Sequence, residues 1–207
     1  MVKTITTEDD SLLEKAGSLY VLAGSVVLMG IIVGEMFYPQ TPGYTTRYSQ
    51  ISDLGATVPP DSIITQPSAT IFNSSMLVTG VLLMFAAYLI HKAIRKRSIS
   101  SAFMLFGLGA LGVGVFPGNM APWHAIFALT TFIAGALSAI VSARITDSFL
   151  RYIYISFGLI SLIFLFGNQS FAPIFGIGGT ERFVAYPIVL WTISFGGYLA
   201  GKGKMAS

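Results

Sequence analysis

The run AGSLYVLAGSVVLMGIIVGEMFY, residues 16–38, decides the fold, because its 23 residues contain one acidic or basic side chain, Glu35, placed near the far end. A helix rises about 1.5 Å per residue and the hydrocarbon core of a bilayer is about 30 Å thick, so about 20 mostly apolar residues suffice to cross it. The acidic stretch Glu8-Asp9-Asp10 precedes the run and no small-residue cleavage site is evident, so it reads as a retained span and not a signal peptide.

Five more runs follow at about 70–90, 99–116, 123–141, 149–166 and 183–199, the last being short unless tilted. The whole chain agrees: 54% of its 207 residues are hydrophobic, 10% are charged, and the mean hydropathy is +0.74. The expectation is an all-α polytopic bundle of six transmembrane helices, forming a single transmembrane domain over residues 1–207. Cysteine is absent, which excludes disulfides, thiolate metal sites and cysteine nucleophiles.

Alternate connections divide the basic residues. Lys3, Lys15, Lys92, Arg95, Lys96, Arg97, Arg144, Arg151, Lys202 and Lys204 fall on one side, and only Arg47 and Arg182 on the other. Lys and Arg resist translocation, so both termini are expected in the cytoplasm of a multi-pass plasma-membrane protein. On this view the pI of about 9.2 reflects topology and anionic headgroups, not nucleic acid.

The two exceptions draw attention to the outer side. The first outer loop, about 39–69, has prolines at 39, 42, 59, 60 and 67 and carries RYSQISDLGA, residues 47–56. Tyr48, Ile51, Leu54 and Gly55 recur at helical spacing, which predicts a two-turn interfacial helix ended by Gly55 in a left-handed conformation. Ser49, Ser52 and Asp53 share its polar face.

His124 opens the fourth span beside Asn119 and Trp123. It is the only outer-side histidine, and imidazole exchanges protons near neutral pH, which suits general acid–base work; the structural alternative is a ring that bridges backbone groups at a helix start. His91 lies in the cytoplasmic basic cluster and reads as an ordinary interfacial residue. Glu35 fits either a salt bridge, with Arg47 or Arg182, or a catalytic carboxylate. Thr180 and Glu181 fit an N-cap and a first-turn acid of the last span. Arg182 opposes both the helix dipole and the orientation pattern, and so calls for a carboxylate partner or an anionic ligand. Pro187 is expected to free the carbonyl of Phe183. GLGALG, residues 107–112, matches a dinucleotide-binding pattern, but it sits within an apolar span and reads as a helix-packing face. Asn73-Ser74-Ser75 and Asn168-Gln169-Ser170 match glycosylation sequons and read as polar helix-end residues.

The succession YSQISDLGA (48–56), IFNSSMLVTGVLL (71–83), VFPGN (115–119), WHAIFALTTFIAGALSAI (123–140) and TERFVAYPIVLW (180–191) resembles the six-helix membrane proteins grouped as Domain of Unknown Function 998, from about Tyr48 to Trp191. The order and spacing of these segments carry the likeness. The resemblance implies a fold akin to lipid-associated six-helix families and emphasises Ser52, Asp53, Pro117, His124 and Arg182; it implies no settled activity.

The candidates gather at one mouth of the bundle, between the outer ends of the first, fourth and sixth spans and beneath the first loop. The leading expectation is a hydrolase or group transferase acting on a lipid or lipid-linked substrate. In it His124 is the acid or base, Asp53 its partner, Ser52 or Ser49 a nucleophile, Arg182 and Arg47 hold an anionic headgroup, and Glu181, Asn119 and Glu35 complete the substrate site. A divalent ion on His124, Asp53 and Glu181 is the weaker variant, since no paired ligand spacing occurs; no metal or cofactor is expected. The rivals are an accessory or scaffold subunit held by an Asp53–Arg182 ion pair, and a small transporter or lipid carrier. Membrane lipids are the expected partners, with membrane proteins or a second copy as further ones and no nucleic acid.

Overall fold

A computed structural model of the chain describes residues 7–41 and 43–204; Lys3, Pro42 and the side chain of Lys204 lie outside it. The structure is all-α: α1 (Thr7–Met36), α2 (Ser68–Ile94), α3 (Arg97–Val115), α4 (Trp123–Ser142), α5 (Leu150–Phe166), α6 (Asn168–Phe175) and α7 (Ile177–Lys204), with 3₁₀ turns at Ser52–Leu54 and Ala143–Ile145. Five of these helices are long and apolar enough to cross a membrane. A sixth crossing arises when α5 is taken together with α6, which bends away from it by 90°. The chain is thus a multi-pass membrane protein in its architecture. Large apolar side chains such as Leu22, Met29, Val81, Phe85, Leu129 and Leu190 stay exposed on the helices, as lipid contact requires.

Local chemistry sets the helix ends. Acidic Glu8, Asp9 and Asp10 occupy the first turn of α1, where the helix dipole favours negative charge. A residue preceding proline is disfavoured in the helical region, and α3 stops just short of Phe116 and Pro117. Gly167 closes α5 and turns the chain into α6.

α1, α2, α3, α4 and α7 surround the interior, and α5 lies outside against α4 and α7. Toward the basic ends, Tyr20, Phe103, Trp191 and Phe195 pack at ring separations of 5.5–5.9 Å, and the Trp191 indole N–H donates to Ser142 Oγ at 3.0 Å. The α3 glycines are indeed packing positions. A β-carbon on Gly109 would sit 2.7 Å from the Thr131 backbone nitrogen, and one on Gly112 2.0 Å from the Phe127 ring.

Three expectations are corrected. The interfacial helix is a single 3₁₀ turn, and Gly55 is right-handed with φ −84°; a side chain there would strike Asn73 Oδ1, so close approach and not a left-handed cap explains the glycine. The last span runs over Ile177–Lys204, well beyond 183–199, and continues through Pro187. Ser161 Oγ donates to the Val184 carbonyl at 2.5 Å, next to the Phe183 carbonyl whose helix donor the proline removes. Finally, the connection after α5, where polar helix-end residues are expected, contains the eight-residue helix α6.

Candidate functional site

The first loop is strapped onto the N-terminus of α7. A helix start presents N–H groups that lack intrahelical partners, and here those of Gly178 and Gly179 donate to the Arg47 carbonyl at 3.0 and 3.3 Å. Gly176 has φ +79°, and β-carbons on Gly176 and Gly178 would overlap the Arg47 and Ser49 carbonyls at 2.0 and 2.1 Å. Only glycine lets the strap lie so close.

Arg182 reaches back along the strap. Its Nη1 donates to the Thr46, Ser49 and Gly178 carbonyls at 2.9, 3.0 and 3.0 Å, while Nη2 donates to Glu35 Oε1 at 2.8 Å and to the Tyr44 hydroxyl at 2.7 Å. The Tyr44 hydroxyl in turn donates to the Gln50 carbonyl, and burial pushes that phenol well above its ordinary ionisation range. The carboxylate that Arg182 called for is therefore Glu35, not Asp53.

Beneath the strap lies a cavity of about 80 Å³ enclosed by α1, α2, α3, α4 and α7. Its shaft is apolar, from Val113 and Phe72 near the strap down to Leu83 and Val189 at mid-helix, and three polar side chains, Ser52, His124 and Glu181, stand at the strap end. Thr79, Thr131 and Thr192 also line it, but each donates its hydroxyl to a backbone carbonyl, at 3.3, 2.7 and 2.8 Å. Nothing in the sequence distinguishes these threonines from ordinary helix-facing ones.

His124 is buried, with Nδ1 at 2.8 Å from the Phe116 carbonyl. A carbonyl can only accept, so Nδ1 carries the proton and Nε2 presents its lone pair in the neutral ring; among the described residues Nε2 has no hydrogen-bond partner. Glu181 Oε2 accepts the Ile51 backbone N–H. Thr180 is not its N-cap: the helix begins at Ile177, and Thr180 donates to Gly176 within it.

The remaining candidates stand away from the cavity lining. Asp53 Oδ2 accepts the Gln50 N–H at 2.7 Å and so closes the turn; burial raises its pKa, opposed by that bond and by the positive charge of Arg182. The Phe116 carbonyl, not Asp53, orients His124. Ser49 Oγ accepts the Thr45 N–H, and Arg47 donates to the Ile174 carbonyl at the α6 end. Asn119 Oδ1 is buried without a partner, and Glu35 is held in the ion pair. No cluster of three His, Asp or Glu able to hold a metal occurs among the described residues.

No curated protein and no solved structure shows significant similarity to the chain. The family described as protein of unknown function, DUF998, matches residues 21–198, a stretch that contains the strap and every residue of the cavity. The chain belongs to that DUF998 family of membrane proteins.

Proposed function

We propose that the chain is a membrane enzyme that admits the hydrocarbon part of a lipid or lipid-linked substrate into the bundle and hydrolyses or transfers a group at its head. The observation that carries the reading is the cavity itself: an apolar shaft reaching mid-helix and lined at its strap end by Ser52 and by His124, whose Nε2 has no hydrogen-bond partner among the described residues. In this role Nε2 takes the proton of an attacking hydroxyl and returns it to the leaving oxygen, so that the enzyme ends unchanged. Ser52 supplies that hydroxyl if the route is covalent; water or an acceptor alcohol supplies it if the route is direct.

Incubation of purified protein with extracted membrane lipids, followed by mass spectrometry, tests this. A product is expected that falls by about 100-fold or more with His124→Ala. Ser52→Ala separates the two routes. Failure of the wild type to convert any lipid fraction overturns the reading.

A scaffold role is the second reading, favoured by the five acceptors of its own chain that the two terminal nitrogens of Arg182 engage, although its Nε is buried without a partner. The α3 glycines do not add to it, because Gly109 and Gly112 meet α4 of the same chain.

We further propose that the termini lie in the cytoplasm and that the cavity mouth opens at the outer leaflet of the plasma membrane. Support comes from Arg95, Lys96, Arg97, Arg144, Arg151 and Lys202 at one end of the bundle, against Arg47 and Arg182 at the other, both engaged with backbone carbonyls. The cysteine-free chain makes the test direct. In intact cells an impermeant maleimide is expected to label Asp61→Cys and to reach Ser98→Cys only after lysis; the reverse pattern refutes the orientation.

A further inference from the structure

The cavity is long for its volume. Its lining runs from Phe72 to Leu83 on α2 and from Glu181 to Thr192 on α7, eleven residues in each case and so about 16 Å at a rise of about 1.5 Å per residue. At roughly 10–15 Å³ per water-sized group, about 80 Å³ holds about 5–8 of them, which laid end to end at about 2.8 Å each extend over about 14–22 Å. The two lengths agree when the space is a single file. Gathered into one chamber, the same space would not reach both ends. Its wall is almost wholly apolar. Below the strap end, Thr79, Thr131 and Thr192 have given their protons to helix carbonyls, and a water needs about 2–4 polar partners, so the shaft is dry. Buried Leu83 and Phe106 close its deep end, with Phe106 lying 6.0 Å from Trp191, which stacks on Phe195 at 5.5 Å.

Lipid tails are as apolar as this wall, so a chain gains little from transfer alone. What it gains is contact: the wall atoms of an empty shaft lack neighbours on one side, and each methylene seated there supplies them. A methyl branch or a ring is wider than the file, and a second chain has no room. A chain longer than the shaft must buckle against its closed end. We propose that the cavity takes one unbranched hydrocarbon chain, with Leu83 and Phe106 limiting its length, and that it excludes branched isoprenoids and sterols. The inference rests on the reading above that the hydrocarbon part of a lipid enters the bundle, and it adds which hydrocarbon enters and which residues choose it.

The full chain, purified in digitonin, whose rigid ring body does not fit the file, tests this with n-alkanols from octanol to octadecanol, farnesol and cholesterol, read by retention in native mass spectrometry and by thermal shift. Retention is expected to peak near dodecanol, whose extended chain matches the shaft, and to fall toward octadecanol. Farnesol has the dodecyl backbone with methyl branches and is expected to bind about tenfold more weakly than dodecanol, the effect of overpacking a filled site; cholesterol is expected not to bind. Leu83→Ala should move the peak to a longer alkanol, a change that loss of stability alone would not produce. Ala128→Phe, which fills the file, should abolish retention of every alkanol. Farnesol or cholesterol held as well as dodecanol, retention indifferent to length, or a peak unmoved in Leu83→Ala overturns the inference. If no alkanol is retained while His124-dependent lipid turnover persists, this inference alone falls. If the length peak appears and no lipid is converted, the chain assignment stands and the enzyme reading falls.

Discussion

Arg182→Met is expected to cost about 3–5 kcal/mol, the range for removing one partner of a buried ion pair. The Arg182 side chain is 10% exposed and that of Glu35 is 26% exposed, so the pair is shielded well beyond an ordinary surface bridge. The variant would strand the Glu35 carboxylate, the Thr46, Ser49 and Gly178 carbonyls and the Tyr44 hydroxyl together. Those groups belong to α1, to the strap and to α7, so the loss should be seen as release of the strap as well as lower stability. Thermal unfolding in detergent and limited proteolysis measure the two effects, and cleavage between Tyr44 and Gln66 is expected to appear in the variant under conditions where the wild type resists. Arg182→Lys should recover little, because one ammonium cannot reach five acceptors spread across a guanidinium fork. Glu35→Gln combined with Arg182→Met should cost less than the two single changes summed, since the stranded charge is gone. An Arg182→Met protein within about 1 kcal/mol of wild type and equally protease-resistant would show that the latch does not hold the strap.

This latch marks the boundary of what the sequence discloses. The spans were legible because crossing a bilayer demands some twenty apolar residues in a row, a requirement α1, α2, α3, α4 and α7 each meet without help from their neighbours. The second to fifth expected spans lie within about two residues of α2 to α5 at the ends nearer the strap. The start of α7 was not legible. Gly176, Gly178 and Gly179 are poor helix formers, and Thr180-Glu181 has the look of a cap; the helix nevertheless begins at Ile177 because the Arg47 carbonyl, from a distant loop, accepts the first N–H groups. That shift places Glu181 inside the helix and at the cavity. The same limit hid the exchange of roles between carboxylates. Asp53 and Glu181 both lie in short polar segments, and only the docked strap decides that one closes a local turn while the other faces the shaft beside His124. His124 itself was readable, as a lone histidine at the loop end of the bundle, but its orienting partner is a backbone carbonyl, which leaves no mark in a sequence.

The strap and latch stand on a helix pair whose backbones touch, and Gly196→Leu is expected to force that pair apart. A β-carbon at Gly196 would lie 2.6 Å from the Val21 backbone nitrogen and 2.7 Å from the Gly17 carbonyl, and one at Gly17 would lie 2.4 Å from the Ala200 nitrogen. These are backbone atoms, so no change of rotamer relieves the overlap and α1 must move from α7. Small residues permit such approach between helices in lipid, where packing and not hydrophobic expulsion drives association. The predicted cost is at the upper end of the range for overpacking, about 3 kcal/mol, read as a lower midpoint of thermal unfolding in one detergent. Gly197→Ala is the matched control. Nothing lies within 4 Å of a β-carbon there, and replacing a helix-interior glycine by alanine should be neutral or stabilising by up to about 1 kcal/mol. Because α1 carries Glu35 and α7 carries Arg182 at their far ends, separation at Gly196 should also loosen the strap, making Gly196→Leu resemble Arg182→Met in proteolysis although the two sites are fourteen residues apart on α7. Wild-type melting of Gly196→Leu would mean that the two helices are not in backbone contact, and wild-type proteolysis with lowered stability would mean that the latch closes independently of the crossing.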